Sequence, residues 1–281
     1  MYVTSEKLLL DAAAGGYAVG AFNAENAEMV WAIITAAEEM RSPVIIQTTP
    51  STLKYLPESY FAGMVRNAGQ AASVPVALHL DHGSSFELAK SCVETGYSSV
   101  MIDGSKLSYE ENAALTKRVC DFAREHGIPV EGEIGVIGGK EETTQANSGI
   151  YTDPVQAAAF AYITGVSSLA ISIGTAHGFY KTPPVLDLNR ISETKNHTNV
   201  PLVMHGGSGL SDETLGRAAR LGMSKINFAT ELRDVYTKAM REYIASDPGV
   251  FDPKKYGSHA RTAVKELVKH KMRVCMSEGR I

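Results

Sequence analysis

The sequence predicts an α/β protein folded as a (β/α)8 TIM barrel with a C-terminal helical extension, one domain over residues 1–281. Three observations carry that expectation. Eight short apolar runs alternate with helical patterns in roughly 250 residues, which is the rhythm of eight β/α units. Several of those runs follow a glycine placed where a helix C-terminus needs a left-handed residue: Gly96, Gly127, Gly165 and Gly222. Side chains able to do chemistry recur at the C-terminal ends of many strands: Asn23, Asp81, His82, Asp103, Glu133, His177, His205 and Asn227. A doubly wound open sheet would concentrate such groups near one switch point, whereas a barrel brings every strand end onto one face.

Taken in order, an amphipathic segment around Leu8–Leu10 precedes the first strand, Tyr17–Asn23. A helix over Asn26–Met40 follows, with Met29, Ile33, Ala36, Ala37 and Met40 on one face. Val44–Gln47 is the second strand, and the loop Pro50–Pro57 leads to a helix within Glu58–Ala72. Val76–Leu80 is the third, and Ser84–Glu87 has the capping-box spacing that starts a helix ending at Gly96. The remaining strands are Ser99–Asp103, Val130–Ile134, Ser168–Ile171, Pro201–Met204 and Lys225–Phe228. Beyond about Asp247 lies the extension, with a basic helix from about Arg261 to Arg273.

Composition narrows the function classes. With 44% hydrophobic and 21% charged residues, the chain is not a mainly disordered one. A net charge of −4 gives no basic footprint, so no nucleic-acid partner is expected. No signal-peptide core and no stretch long enough to cross a bilayer is read, so no membrane partner is expected either. Cys92, Cys120 and Cys275 are too few and scattered for a disulfide framework, and no CxxC pair suggests a thiolate metal site. A cytoplasmic location is the expectation.

The chemistry centres on His79-Leu80-Asp81-His82-Gly83, Gly174-Thr175-Ala176-His177-Gly178 and His205-Gly206-Gly207-Ser208-Gly209. A lone histidine is more often structural. His82, His177 and His205 come from three strand ends, each followed by glycine, and can converge on one divalent ion with a position left open for substrate. Asp81 is placed for proton transfer beside such an ion, with a helix cap or a ligand orienter as its blander roles. His79 lies earlier on the same strand and is expected behind the ligands. The loops at His205 and Asn227-Phe228-Ala229-Thr230 follow the last two strands, where barrels often bind phosphate through backbone N–H groups. The glycine-bearing insertion from Gly135 to Gly149 is either a lid or plain disorder, and Glu141 would ride on it.

These motifs, together with Ala21-Phe22-Asn23, Met101-Ile102-Asp103-Gly104-Ser105, Glu133-Ile134-Gly135 and Tyr151-Thr152-Asp153-Pro154, resemble the class II, metal-dependent fructose- and tagatose-bisphosphate aldolases over nearly the whole chain. The resemblance implies Zn2+ on His82, His177 and His205, polarising the C2 carbonyl and stabilising the enediolate of dihydroxyacetone phosphate. Asp81 would take the C4 hydroxyl proton in cleavage, and Glu141 would exchange the proton at C3. Gly178, Gly206, Gly207, Ser208 and Asn227, Phe228, Ala229 and Thr230 would contact the phosphate end, with a monovalent cation (Na+ or K+) near it. Asp103 and Glu133 match a second metal position, and Asn23, Thr49 and Arg261 match contacts to the substrate body and distal phosphate. A homodimer or homotetramer acting on a small sugar phosphate is implied.

Ala229 looks like the tagatose branch, whereas Gly207-Ser208-Gly209 does not, so tagatose 1,6-bisphosphate is favoured and fructose 1,6-bisphosphate comes next. Other phosphorylated ketoses and a non-catalytic sugar-phosphate-binding regulatory subunit are the alternatives. A Schiff-base aldolase is disfavoured, because Lys225 is read at the start of the last strand on the face away from the site. A metal hydrolase on this fold would need a carboxylate or carbamylated lysine among its ligands.

Overall fold

The structure is a computed structural model that describes residues 1–135, 137–139 and 151–281. In chain order the elements are α1 Ser5–Gly15, β1 Val19–Asn23, α2 Ala27–Met40, β2 Val44–Thr48, α3 Pro50–Tyr55, α4 Glu58–Ala71, β3 Val76–Gly83, α5 Phe86–Thr95, β4 Ser99–Ile102, α6 Tyr109–Glu125 and β5 Val130–Ile134. Then come β6 Gly138–Gly139, α7 Pro154–Thr164, β7 Ser168–Ile171, β8 Ala176–His177, α8 Asn189–Lys195, β9 Leu202–Met204, α9 Asp212–Leu221, β10 Met223–Phe228, α10 Thr230–Ser246 and α11 Pro253–Val274.

Eight strands close the barrel in the order β1-β10-β9-β7-β5-β4-β3-β2, every neighbouring pair parallel. Strand alternation splits each run into two sets. Phe22, Ile46, Leu78, Val100, Leu169, Leu202 and Ile226 belong to the main apolar core shared with the surrounding helices. Val19, Ala21, Ile45 and Ala77 form a separate inner cluster with Leu8, Leu9 and Ala12 of α1, which therefore plugs the N-terminal end of the barrel. Burial of these residues supplies most of the driving force, at roughly 25 cal/mol per Å² of apolar surface.

Several local expectations shift. The segment expected as a loop after β2 forms α3, because Pro50 suits a first helical position and Thr49 caps it by accepting from the Thr52 amide. Ser85, not Ser84, caps α5, accepting from the Leu88 amide at 3.1 Å. The C-terminal helix starts at Pro253, eight residues before Arg261, capped by Asp252. It packs beside α2 and α10, where Lys265 and Lys269 pair with Glu39. No helix among the described residues is long and apolar enough to cross a membrane.

Candidate active site

The same alternation that hides Phe22 and Leu78 outside the strands turns Asn23, Gln47, Asp81, Glu133 and Asn227 inward at the C-terminal mouth, where hydrogen bonds join four of the five. Asp81 is fully buried. Its Oδ2 accepts from Asn23 Nδ2 at 3.1 Å and Gln47 Nε2 at 3.2 Å, and its Oδ1 from Asn227 Nδ2 at 3.2 Å. It does not cap α5, a task Ser85 performs. Burial opposes ionisation of Asp81, but His82, His205 and Lys225 together with the Asn23 hydrogen bond hold its carboxyl below the usual range.

His82 departs from regular strand geometry. The β3–β4 register shifts between Leu80 and Gly83, and His82 sits at φ 49, in the left-handed region that a non-glycine residue rarely adopts. Glycine is required next to it, because a Cβ at Gly83 would collide with the Met101 carbonyl. The strained turn lets consecutive residues serve one site. His82 Nδ1 bonds Asp103 Oδ2 at 2.8 Å, and Asp103 Oδ1 accepts from Ser105 N and Oγ.

His82 Nε2 lies 3.1 Å from His177 Nε2 and 2.9 Å from His205 Nδ1. Three imidazole nitrogens therefore converge, and His82, His177 and His205 form a group able to hold a metal ion. The donor set fits such an ion on two counts. His177 and His205 are held well below the ordinary histidine value by burial and by His82, so both favour the neutral form that ligates. The carboxylates of Asp81 and Asp103, which raise His82 well above that value despite burial, would favour a cation in place of the His82 proton. His82, Asp103 and Glu133 make a second possible group. There Glu133, buried beside Asp103, is pushed up to about 8 and its Oε2 has no hydrogen-bond partner.

His177 is not at a barrel strand end, as the sequence reading expected. β7 stops at Ile171, and Gly174 turns the chain at φ 95 before the two-residue β8, which pairs with β6 outside the barrel sheet. His205 directly follows β9, and its Nε2 bonds Glu131 Oε1 at 2.8 Å.

A small cavity beside these rings is lined by His177, Gly178, Gly206, Ser208, Asn227, Ala229 and Thr230. Ser208 Oγ accepts from the Ala229 and Glu231 amides, tying the glycine loop to the start of α10. Tyr180, unremarked in the sequence, accepts from the Ala176 amide and donates to the Gly206 carbonyl. Two further residues expected at the phosphate, Gly207 and Phe228, sit beside this cavity's loops. The Phe228 side chain turns outward onto Phe22, with ring centroids 5.5 Å apart, and the Gly207 amide is spent on the Asn227 carbonyl.

Asn23 reaches Asp81 directly, and Thr49 hydrogen-bonds its neighbours Ser51 and Thr52 as a helix cap. Arg261 lies on α11, and no hydrogen bond or ion pair among the described residues joins it to the site. Glu141 and the expected lid lie outside the described residues. Lys225 does not face away from the site. It is 1% exposed inside the barrel with its Nζ 2.8 Å from Glu131 Oε2. Gln47 and Glu131 were both missed, although counting inward by two from Glu133 points to Glu131.

The YdjI aldolase from Escherichia coli K12 is similar in structure, with 37% identity, 99% of each chain covered and a TM-score of 0.89. A putative fructose-1,6-biphosphate aldolase from Coccidioides immitis shares 31% identity over 97% of this chain and 96% of that one, also with a TM-score of 0.89. The fructose-bisphosphate aldolase (Fba) of Campylobacter jejuni, 23% identical over 100% and 97% of the two chains with a TM-score of 0.86, shares the fold. The model of the family "Fructose-bisphosphate aldolase class-II" matches residues 3–280. With that match over a barrel whose mouth gathers three histidines and a carboxylate, the chain belongs to the class II fructose-bisphosphate aldolases and is an aldolase, a carbon–carbon lyase.

Proposed function

We propose that the chain catalyses reversible zinc-dependent aldol cleavage of a ketose 1,6-bisphosphate to dihydroxyacetone phosphate and glyceraldehyde 3-phosphate. Tagatose 1,6-bisphosphate is preferred and fructose 1,6-bisphosphate comes next. The observation that carries this reading is the Asp81 carboxylate, 4.0 Å from His82 Nε2 and 3.9 Å from His205 Nδ1, and hydrogen-bonded to Asn227, which lines the cavity. His82, His177 and His205 would hold zinc. When bound, the ion supplies Lewis-acid polarisation of the substrate carbonyl.

The protein's own groups do the rest. Asp81, kept ionised by its surroundings and aimed by three amides, accepts the C4 hydroxyl proton in cleavage and returns it in condensation. Gly178, Gly206, Gly207, Ser208, Asn227, Phe228, Ala229 and Thr230 are assigned the phosphate end, six of them around the cavity, with a monovalent cation beside it. Ala229, apolar where a polar residue would select the fructose epimer, supports the tagatose preference. Glu141 is assigned the C3 proton, Asp103 and Glu133 a second metal position, and Asn23 and Thr49 the substrate body. Arg261 is assigned the distal phosphate across a homodimer or homotetramer contact. Three free, buried cysteines suit a cytoplasmic protein.

Dihydroxyacetone phosphate release from both bisphosphates, after chelation and zinc restoration, tests the reading. Zinc-dependent release with the tagatose epimer faster is the expected outcome. Zinc binding with neither substrate cleaved would redirect the assignment to another phosphorylated ketose or to a sugar-phosphate-binding regulatory role.

A further inference from the structure

Beneath the three histidines the barrel interior carries a charged layer. Glu131 and Lys225 are each 1% exposed, on strands β5 and β10. The Glu131 carboxylate is shared. Its Oε1 bonds His205 Nε2 at 2.8 Å, its Oε2 accepts from Lys225 Nζ at 2.8 Å, and the same Oε2 lies 3.6 Å from His79 Nε2. His79 is fixed in turn by Ser99 Oγ at 2.7 Å from its Nδ1, and Ser99 accepts from Ser5 of α1. The bracing therefore runs from the plug helix to the ring of His205.

An imidazole has two nitrogens, and the partner of one decides the use of the other. With Nε2 occupied as a donor to Glu131, His205 presents the lone pair of Nδ1, the atom that faces His82 Nε2 at 2.9 Å. An unpaired carboxylate at this depth would be strongly unfavourable, and Lys225 balances it. We propose that Glu131, with its charge balanced by Lys225, is a positioning residue that orients His205 with Nδ1 toward His82 and His177 and so sets the affinity for the metal. The inference rests on the metal reading above.

The test uses the full chain stripped with a chelator. Zinc is titrated against a chromophoric competitor, cobalt spectra report ligand geometry, and thermal unfolding reports the fold. Wild type should bind zinc tightly. Glu131→Gln should stay folded, bind zinc about 10–100-fold more weakly and show an altered cobalt spectrum. Should that variant fail to fold, the double change Glu131→Leu with Lys225→Met removes the pair without stranding a charge, and it should fold with the same loss of affinity. Either folded variant with wild-type zinc affinity and cobalt spectrum overturns the proposal. A wild-type chain that binds no zinc overturns the metal reading itself and is distinguished by that first titration.

Discussion

The two sides of the barrel mouth are built differently. On the side of β1, β2, β3, β9 and β10, every functional group is braced: Asp81 by three amides, His82 by Asp103, and His205 by Glu131. On the other side His177 stands on β8, outside the barrel sheet, and its ring meets only His82 and His205 among the described residues. Precision is invested unevenly around the mouth. Groups that must hold one direction for proton transfer or for a lone pair sit on a barrel strand or directly after one, whereas His177 sits on the short β8 outside the barrel sheet.

The link between the two sides is Gly206. It lies in the braced half at φ 70, yet a Cβ there would collide with the backbone of Ala176, next to His177. Tyr180 clasps the same two segments, bonding the Ala176 amide and the Gly206 carbonyl.

Changing the carboxylate in the braced half should have the largest effect. Asp81→Asn keeps the shape but removes the proposed proton acceptor, so kcat should fall about 100- to 10,000-fold with zinc content unchanged. Zinc lost along with activity, measured by metal analysis of the purified variant, would show that Asp81 holds the histidines rather than the proton. Forcing the two halves apart comes next. Gly206→Ala should reduce stability by about 1–3 kcal/mol in denaturant titration and raise KM for the bisphosphate by displacing the loop proposed to bind its phosphate. Stability and KM both at wild-type values would mean that the approach of Gly206 to Ala176 is not constraining.

A further test is a pH dependence of the metal-free protein. Burial, reinforced by neighbouring positive groups, holds His79, His177 and His205 well below the ordinary value of 6.5. In the window just below 6.5 the unfolded chain therefore takes up three protons that the folded chain resists. Glu133, raised by burial and Asp103 from 4.5 to about 8, acts oppositely and keeps one proton that the unfolded chain has released. Three against one makes stability fall as pH drops through this window. Above 7 the sign reverses, because folded His82, raised by Asp81 and Asp103 against its burial, and Glu133 retain protons that the unfolded chain has lost. Thermal melts from pH 5 to 9 should trace a dome with its maximum near neutrality. A Tm that climbs steadily from pH 7 to 9 would contradict this assignment.

Much of this molecule was legible in order along the chain. The glycines at Gly96, Gly127, Gly165 and Gly222 all adopt positive φ next to helix ends, and the strands they introduce are where the apolar runs placed them. The three histidines and Asp81 could be named because glycine and strand pattern set them apart. Gln47, Tyr180 and the Glu131–Lys225 pair could not. A glutamine ending an apolar run and a charged residue inside one have no local mark of what they touch: the partners of Gln47, Glu131 and Lys225 lie 24 to 94 residues away in sequence, and Tyr180 reaches Gly206 26 residues on.

Local sequence was enough for the alternation of strand and helix and for singling out three histidines and Asp81, because these depend on short-range periodicity and turn chemistry. Closure of β1 onto β10 decided the rest. Only the barrel brings Asn227 to Asp81 and sets Lys225 against Glu131, and only the displaced β8 carries His177 to His82. Hydrogen bonds between distant strands act over about 3 Å, so which groups they join is fixed by register and closure, which no local stretch of chain contains.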